Sequence, residues 1–263
     1  MKIITLLFLS FFIFISCTQE STNHKLKMDF SEKKNFIYSF SINGEDEFYS
    51  KRSENKSKTT LNGKLMISSL NDSIASVETI DLEMAVFDFI NGDYKESFKN
   101  KIANSSLSGM NEIGEFNSNN NDFSTDLYFP LSGKEAKVGD TYSRNIKAPI
   151  NINNQIVYST GSLKITVSEI KDYGNGLCAK LIGDLNLSLK NIPENIKGKQ
   201  EHNLTGKCEY LFNLEKGCFE EIKIPMMLTQ ITTQTIKLQN STLEDESTIK
   251  MNSVINMKLL EIK

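Results

Sequence analysis

The side chains able to do chemistry are few: four cysteines, two histidines and 33 acidic residues in 263, with no tryptophan. A Ser-His-Asp or Cys-His device needs an imidazole held by packed neighbours. His24 lies in a polar stretch near the start and His202 at the end of the segment 190–202, which reads as a loop or a short helix, so both are expected at the surface. Cys178, Cys208 and Cys218 come without a paired histidine, so no zinc spacing exists and no metal or cofactor is expected. Glu220-Glu221 and Glu244-Asp245-Glu246 are the acid groups that a glycosidase or a calcium site could use. Adjacent acids on a strand point to opposite faces, and the second group reads as a turn, so solvated charge is the expectation for both. The chain therefore reads as a protein without catalytic residues.

The remaining reactive residue is Cys17. Residues 1–16 read MKIITLLFLSFFIFIS, one basic residue followed by an apolar run, which has the form of a signal peptide. The run is too short to cross a hydrocarbon core of about 30 Å, and no later segment supplies the roughly 20 apolar residues of a helical span. Phe14-Ile15-Ser16-Cys17 resembles the lipobox of bacterial lipoproteins, with Phe14 where Leu is usual, a variation found in lipoproteins of Bacteroidota-like bacteria. The resemblance implies that the Cys17 thiol carries the lipid and anchors the chain to a membrane. Thr18, in place of the Asp that retains such proteins at the inner membrane, implies sorting to the outer membrane, in either leaflet. Residues 17–27, polar and without apolar period, read as a lipidated flexible tether.

About 250 residues follow, enough to bury a core without disulfide staples. Without Lys2 there are 29 basic against 33 acidic residues, a charge of −4, and no basic clustering of the kind a nucleic-acid partner requires. The three later cysteines are an odd set for an oxidising compartment. Cys208 and Cys218 fall on one hairpin about four residues out of register, roughly 13 Å apart at strand rise, beyond the Cα limit of about 7 Å for a bridge. Cys178 falls on the polar face of its strand. Free thiols are expected, two of them buried.

Period-2 alternation recurs through 28–263 and predicts half-buried strands. Phe36, Tyr38, Phe40 and Ile42 share a face, and Asn43-Gly44 predicts a turn after them. Leu65 to Ser69 and Ile74 to Met84 form a hairpin about Asn71-Asp72, and 161–189 another about Asp172–Gly176, with Leu177, Ala179, Leu181, Gly183, Leu185, Leu187 and Leu189 on one face. Thr205 to Leu214 and Cys218 to Leu228 are joined across Glu215-Lys216-Gly217, and Ile249, Met251, Ile255, Met257 and Leu259 mark the last strand. The predicted fold is all-β, a large curved antiparallel sheet or half-barrel of long hairpins, with a β-sandwich as the alternative. Gly63-Lys64-Leu65-Met66-Ile67 against Gly161-Ser162-Leu163-Lys164-Ile165 leaves an internal duplication open, with halves 28–116 and 123–263.

The stretch Pro130 to Tyr142, with Val138-Gly139-Asp140-Thr141-Tyr142, is similar to a family of exported bacterial lipoproteins bearing a β-rich domain of unknown function, whose members carry a proline, a short gap and Val-Gly-Asp-x-Trp. Tyr142 stands here for the Trp, and the turn Asn111-Glu112-Ile113-Gly114 also fits in order. The resemblance implies fold and location and no chemistry. In the residues themselves the motif reads as a turn that sets strand register, Gly139 supplying a backbone angle closed to others and Asp140 bonding nearby amides. A sheet greasy on one side must bury that side against itself, another layer or a ligand. A non-catalytic envelope lipoprotein that binds a hydrophobic ligand or a protein partner through a curved sheet follows, with Met226, Met227, Met251 and Met257 as candidates to line an adaptable cavity. The alternatives are a structural or adhesive subunit that pairs through its sheet edge, and a hydrolase whose carboxylates converge from distant strands. A curved sheet of this kind is similar to lipoprotein-carrier folds.

Overall fold

In the computed structural model the described residues are 24–51, 53–116, 125–152, 155–189, 199–238 and 241–263. The alternating pattern folds into strands β1 (Asn35–Ser50), β2 (Glu54–Asn71), β3 (Ile74–Ile90), β4 (Asp93–Lys101), β5 (Ser106–Asn111), β6 (Thr141–Ile152), β7 (Gln155–Asp172), β8 (Leu177–Leu189), β9 (Lys199–Asn213), β10 (Cys218–Leu238) and β11 (Ser241–Ile262), with a 3-10 turn at Ser31–Lys33 and one α-helical turn, α1 (Thr125–Tyr128). All eleven strands belong to one antiparallel sheet in the order β4-β3-β2-β1-β11-β10-β9-β8-β7-β6, with β5 beside β3. The path is open, so the sandwich alternative gives way to a single curved sheet. From β1 to β4 and from β6 to β11 each strand pairs with its neighbour in sequence, β5 returns to β3, and the first and last strands meet in the middle. That seam runs from Phe36↔Ile262 to Ser50↔Ser247.

Several local expectations yield to this pairing. Asn43-Gly44 makes no turn, because β1 is flanked on both sides: Asn43 opposes Thr60 and Val254, and Gly44 opposes Thr59 and Ser253. A turn there would forfeit two ladders for one hairpin, so the longer ladders win. Glu244-Asp245-Glu246 likewise lies within β11, opposite Thr233, Gln234 and Thr235, rather than in a turn. In β3 the core-facing side chains change parity, from Ala75 and Val77 to Leu82. The cause is a bulge opposite Gly63, with Asp81 at φ 54°. Leu82 then sits over Gly63, where a Cβ would come within 2.6 Å of its Cδ2.

One face of the sheet carries the core. Phe36, Tyr38, Leu65, Ile67, Leu163, Ile165, Val167, Leu181, Tyr210, Phe212 and Ile222 are all fully buried on it. Two non-strand segments close the end of this face: Leu26, Met28 and Phe30 from one, and Leu127, Phe129 and Leu131 from the other. The rings of Phe129 and Phe219 lie 5.8 Å apart, and the Tyr210 hydroxyl donates to the Leu127 carbonyl at 2.7 Å. Arg144 ties the second segment down through Glu115 and the carbonyls of Ile113 and Leu131. The core is complete within the described chain, from Leu26 to Met257.

The tether expected over 17–27 is shorter than its composition suggests. Leu26 N donates to the Lys134 carbonyl, Gly133 N to that of Leu26 and Ala136 N to that of His24, at 2.8, 2.8 and 2.9 Å. The alternation Leu26, Met28, Phe30 spans the boundary drawn at 27/28, and for that reason it escapes a reading of either side alone. Cys17, and with it the whole leader, lies outside the described residues.

Candidate ligand-binding groove

The motif around Val138-Gly139-Asp140 behaves as a register device. Gly139 has φ 92° and donates to the Val167 carbonyl at 2.8 Å, while the Asp140 carbonyl accepts from Val167 N at 2.9 Å. Tyr142 opens β6, and its hydroxyl donates to the Pro130 carbonyl at 2.7 Å, so the aromatic ties the proline to the sheet. Burial raises the pKa of that phenol. The Asn111–Gly114 turn is built the same way. Asn111 Oδ1 accepts from the amides of Ile113 and Glu115, and Gly114, at φ 86°, lies so close to the Phe129 carbonyl that no side chain fits.

The three thiols are free, and all three are buried, one more than expected. Cys178 does lie on the face opposite Ala179 and Leu181, but the β7–β8 and β9–β10 connections cover it: Asn213 Nδ2 donates to the Asn175 carbonyl and Leu214 N to that of Leu177. Cys178 and Cys218 both oppose Asn213, one on each side of β9. Two strand spacings separate them, about 10 Å, too far for a disulfide. Burial pushes Cys178 and Cys208 to about 11 and Cys218 to about 12. These are inert packing thiols at neutral pH. Glu220, read as solvated, instead accepts from Asn213 and Lys216 at 2.9 Å each beside a bulge in β10.

His202 is displaced furthest from its expected place. It belongs to β9, opposite Gln230, and is 5% exposed rather than on a surface linker. Burial lowers its pKa, so the ring is neutral at physiological pH. Gln200 and Ser159 are also buried on this face, and Ser159 Oγ, Gln200 Nε2, His202 Nδ1 and Ser253 Oγ have no hydrogen-bond partner among the described residues. Asp46 adds an unpartnered Oδ1, and burial raises its pKa.

An open groove of about 620 Å³ lies on the opposite, polar face, across β2, β1, β11, β10 and β9. Two transverse rows form its floor. The cross-strand pairs Thr60↔Asn43↔Val254↔Pro225 make one, bordered by Lys207, and Lys58↔Glu45↔Asn252↔Met227↔Thr205 make the other. Behind it the core-side face carries Gly44, Ser253 and Gly206, between rows of larger residues such as Ile42 and Ile255 below and Leu228 and Met251 above. Thr59 and Met226 complete that core-side row. Pro225, with no N–H to give, sits where the β9–β10 pairing lapses between Lys223↔Glu209 and Met227↔Thr205.

Met227 is 59% exposed in the groove, the only one of the four candidate methionines on the polar face. Met226 lines the groove from the core side, Met257 is core, and Met251 is half-buried on the core face. The groove's carboxylate, Glu45, is paired with Lys58 at 2.9 Å, and the Lys58 ammonium also lies 4.2 Å from the centre of the Tyr94 ring. A smaller hollow of about 240 Å³ lies on the same face beside Tyr173, among Lys180, Glu209, Glu221 and Lys223, with Lys180 and Glu209 paired at 3.1 Å. Among the described residues no helix is long and apolar enough to cross a membrane, and no three metal-binding side chains converge.

Fold and groove together define an open, all-β protein with one plugged apolar face and one grooved polar face. No family model and no curated protein matches the chain. Among solved structures, the β domain of the Bordetella autotransporter BrkA aligns with 86% of this chain and 99% of its own at 8% identity, with a TM-score of 0.17.

Proposed function

We propose that this chain is a non-catalytic envelope lipoprotein, held to the outer membrane by lipid on Cys17, that binds a hydrophobic ligand in the groove across β2 to β9. The observation that carries the reading is the groove itself. Its volume falls in the range of small-molecule sites, roughly 300–1,000 Å³, and it displays Met227 beside Pro225 and Val254 on a face that is otherwise polar. Methionine is unbranched and polarizable and adapts to irregular apolar partners. The expectation of a ligand on the greasy face gives way to one on the opposite face, because Leu26–Phe30 and Leu127–Leu131 already occupy the end of the greasy one. The resemblance of Val138–Tyr142 to exported lipoproteins supports the envelope part of this reading.

Native mass spectrometry of the chain from residue 17, carrying Cys17→Ser and prepared without detergent, tests it. A bound mass of a few hundred daltons is expected for this chain, and its loss for Met227→Glu. A ligand-free spectrum in both, after expression in a lipid-producing host, would sink the reading.

The adhesive alternative finds less support. Edge strand β4 carries Lys95, Glu96, Lys99 and Lys101, and edge strand β6 carries Arg144, Lys147 and Pro149. Charges and proline on an edge discourage pairing with another chain.

A further inference from the structure

The groove's charges point to the class of ligand, an inference that rests on the reading just given. Its two lysines are in different states. Lys58 is neutralised by Glu45 and engaged by the Tyr94 ring. Lys207, on the β9 wall, opposes Asp184 in the β8 ladder but forms no ion pair among the described residues. It adjoins the apolar part of the floor, Val254, Pro225 and Met227, and Thr205 next to it adds a hydroxyl. The five strands under the groove span roughly 19 Å at strand spacing, so an extended chain can lie across them with one end at Lys207.

We infer that the groove takes a single-chain amphiphile with an anionic head, its hydrocarbon on Met227, Pro225 and Val254 and its head on the Lys207 ammonium. A neutral head adds no counter-charge to the one that Asp184, itself also opposite Lys164, can offer that ammonium, and a cationic head is repelled by it. Hydrogen bonds to an ionised acceptor are shorter and stronger than neutral ones, so the head, rather than the chain, sets selectivity.

Dodecanoate, dodecyl phosphate, 1-dodecanol and dodecyltrimethylammonium, each titrated below its critical micelle concentration by calorimetry into the residue 17–263 chain carrying Cys17→Ser, separate the possibilities. The expected order places the two anions about tenfold tighter than dodecanol, with dodecyltrimethylammonium weakest; the tighter anion identifies the head as carboxylate or phosphate. Lys207→Gln is expected to bring both anions down to the level of dodecanol and to leave dodecanol unchanged, whereas Lys258→Gln, on the same face but outside the groove, changes neither. Equal binding of anions and alcohol, or anion binding that survives Lys207→Gln, overturns this inference while leaving a hydrophobic ligand in place. Failure of all four probes to bind overturns the inference and the reading beneath it together.

Discussion

At the scale of single residues, burial has taken the chemistry out of the groups that looked most reactive. Cys178, Cys208 and Cys218 are buried with their thiols pushed well above neutrality. In the folded protein at pH 8, a thiol-specific chromogenic reagent should therefore react with none of these three on the minute scale, and with all three once guanidinium unfolds the chain. A fast-reacting native thiol among them would show that the covering loops open. His202 carries a pH signature of its own. Its folded pKa lies below the ordinary 6.5, so between the two values the unfolded chain binds more protons than the folded one, and stability falls as pH drops through that window. His202→Leu should flatten the pH dependence of the melting temperature between pH 6.5 and 5, while a slope of the same size in the variant would locate the proton uptake elsewhere. Asp46 acts in the opposite sense, since burial raises its pKa. Protonation above its ordinary range favours the folded state, and stability from this group is lost as pH rises.

At the scale of the element, glycines and bulges decide which face each strand shows. Asp81 and Gly63 switch the buried parity of β3, so that Val77 before the bulge and Leu82 after it reach the same core. Without that switch half of β3 would turn its apolar residues to solvent. Gly206 has a different duty. A Cβ there would run into the Pro225 carbonyl oxygen, which only a backbone shift can relieve. Gly206→Ala should cost about 1–3 kcal/mol in chemical denaturation and weaken ligand retention in the groove, whereas Gly44→Ala, whose Cβ would meet Ser253 Cβ at an ordinary 3.7 Å, should be far milder. Equal effects would mean that close approach at Pro225 is not what shapes this region. Strand length was legible where alternation is unbroken, as from Leu177 to Leu189. Strand β4 escaped because nearly all of its side chains are exposed, and an exposed edge strand has no apolar face to alternate; β5 escaped because a register shift between Met110 and Ser108 breaks the alternation within its six residues.

At the scale of the whole molecule, the seam between β1 and β11 and the two plugging segments make one body of a chain that could be read as two similar halves. The fold takes in residues from His24 onward, so six residues lie between Cys17 and the first of them. Metabolic labelling with palmitate should mark the full chain and not its Cys17→Ala variant, and a labelled variant would remove the anchor from the proposal.

The sequence by itself determined the all-β class, the apolar face of most strands and the free state of the thiols, because period-2 alternation and residue spacing are local properties of the chain. It also carried the candidate anchor, which is a local motif. Only the tertiary structure decided which strands neighbour one another, that Asn43-Gly44 runs straight, that His202 is buried and that Met227 alone of its set lies on the polar, grooved face. Those outcomes depend on register across strands distant in sequence, where one residue of slip exchanges the two faces, and on segments such as Leu26–Phe30 whose partners, Glu112, Lys134 and Gly217, lie far along the chain.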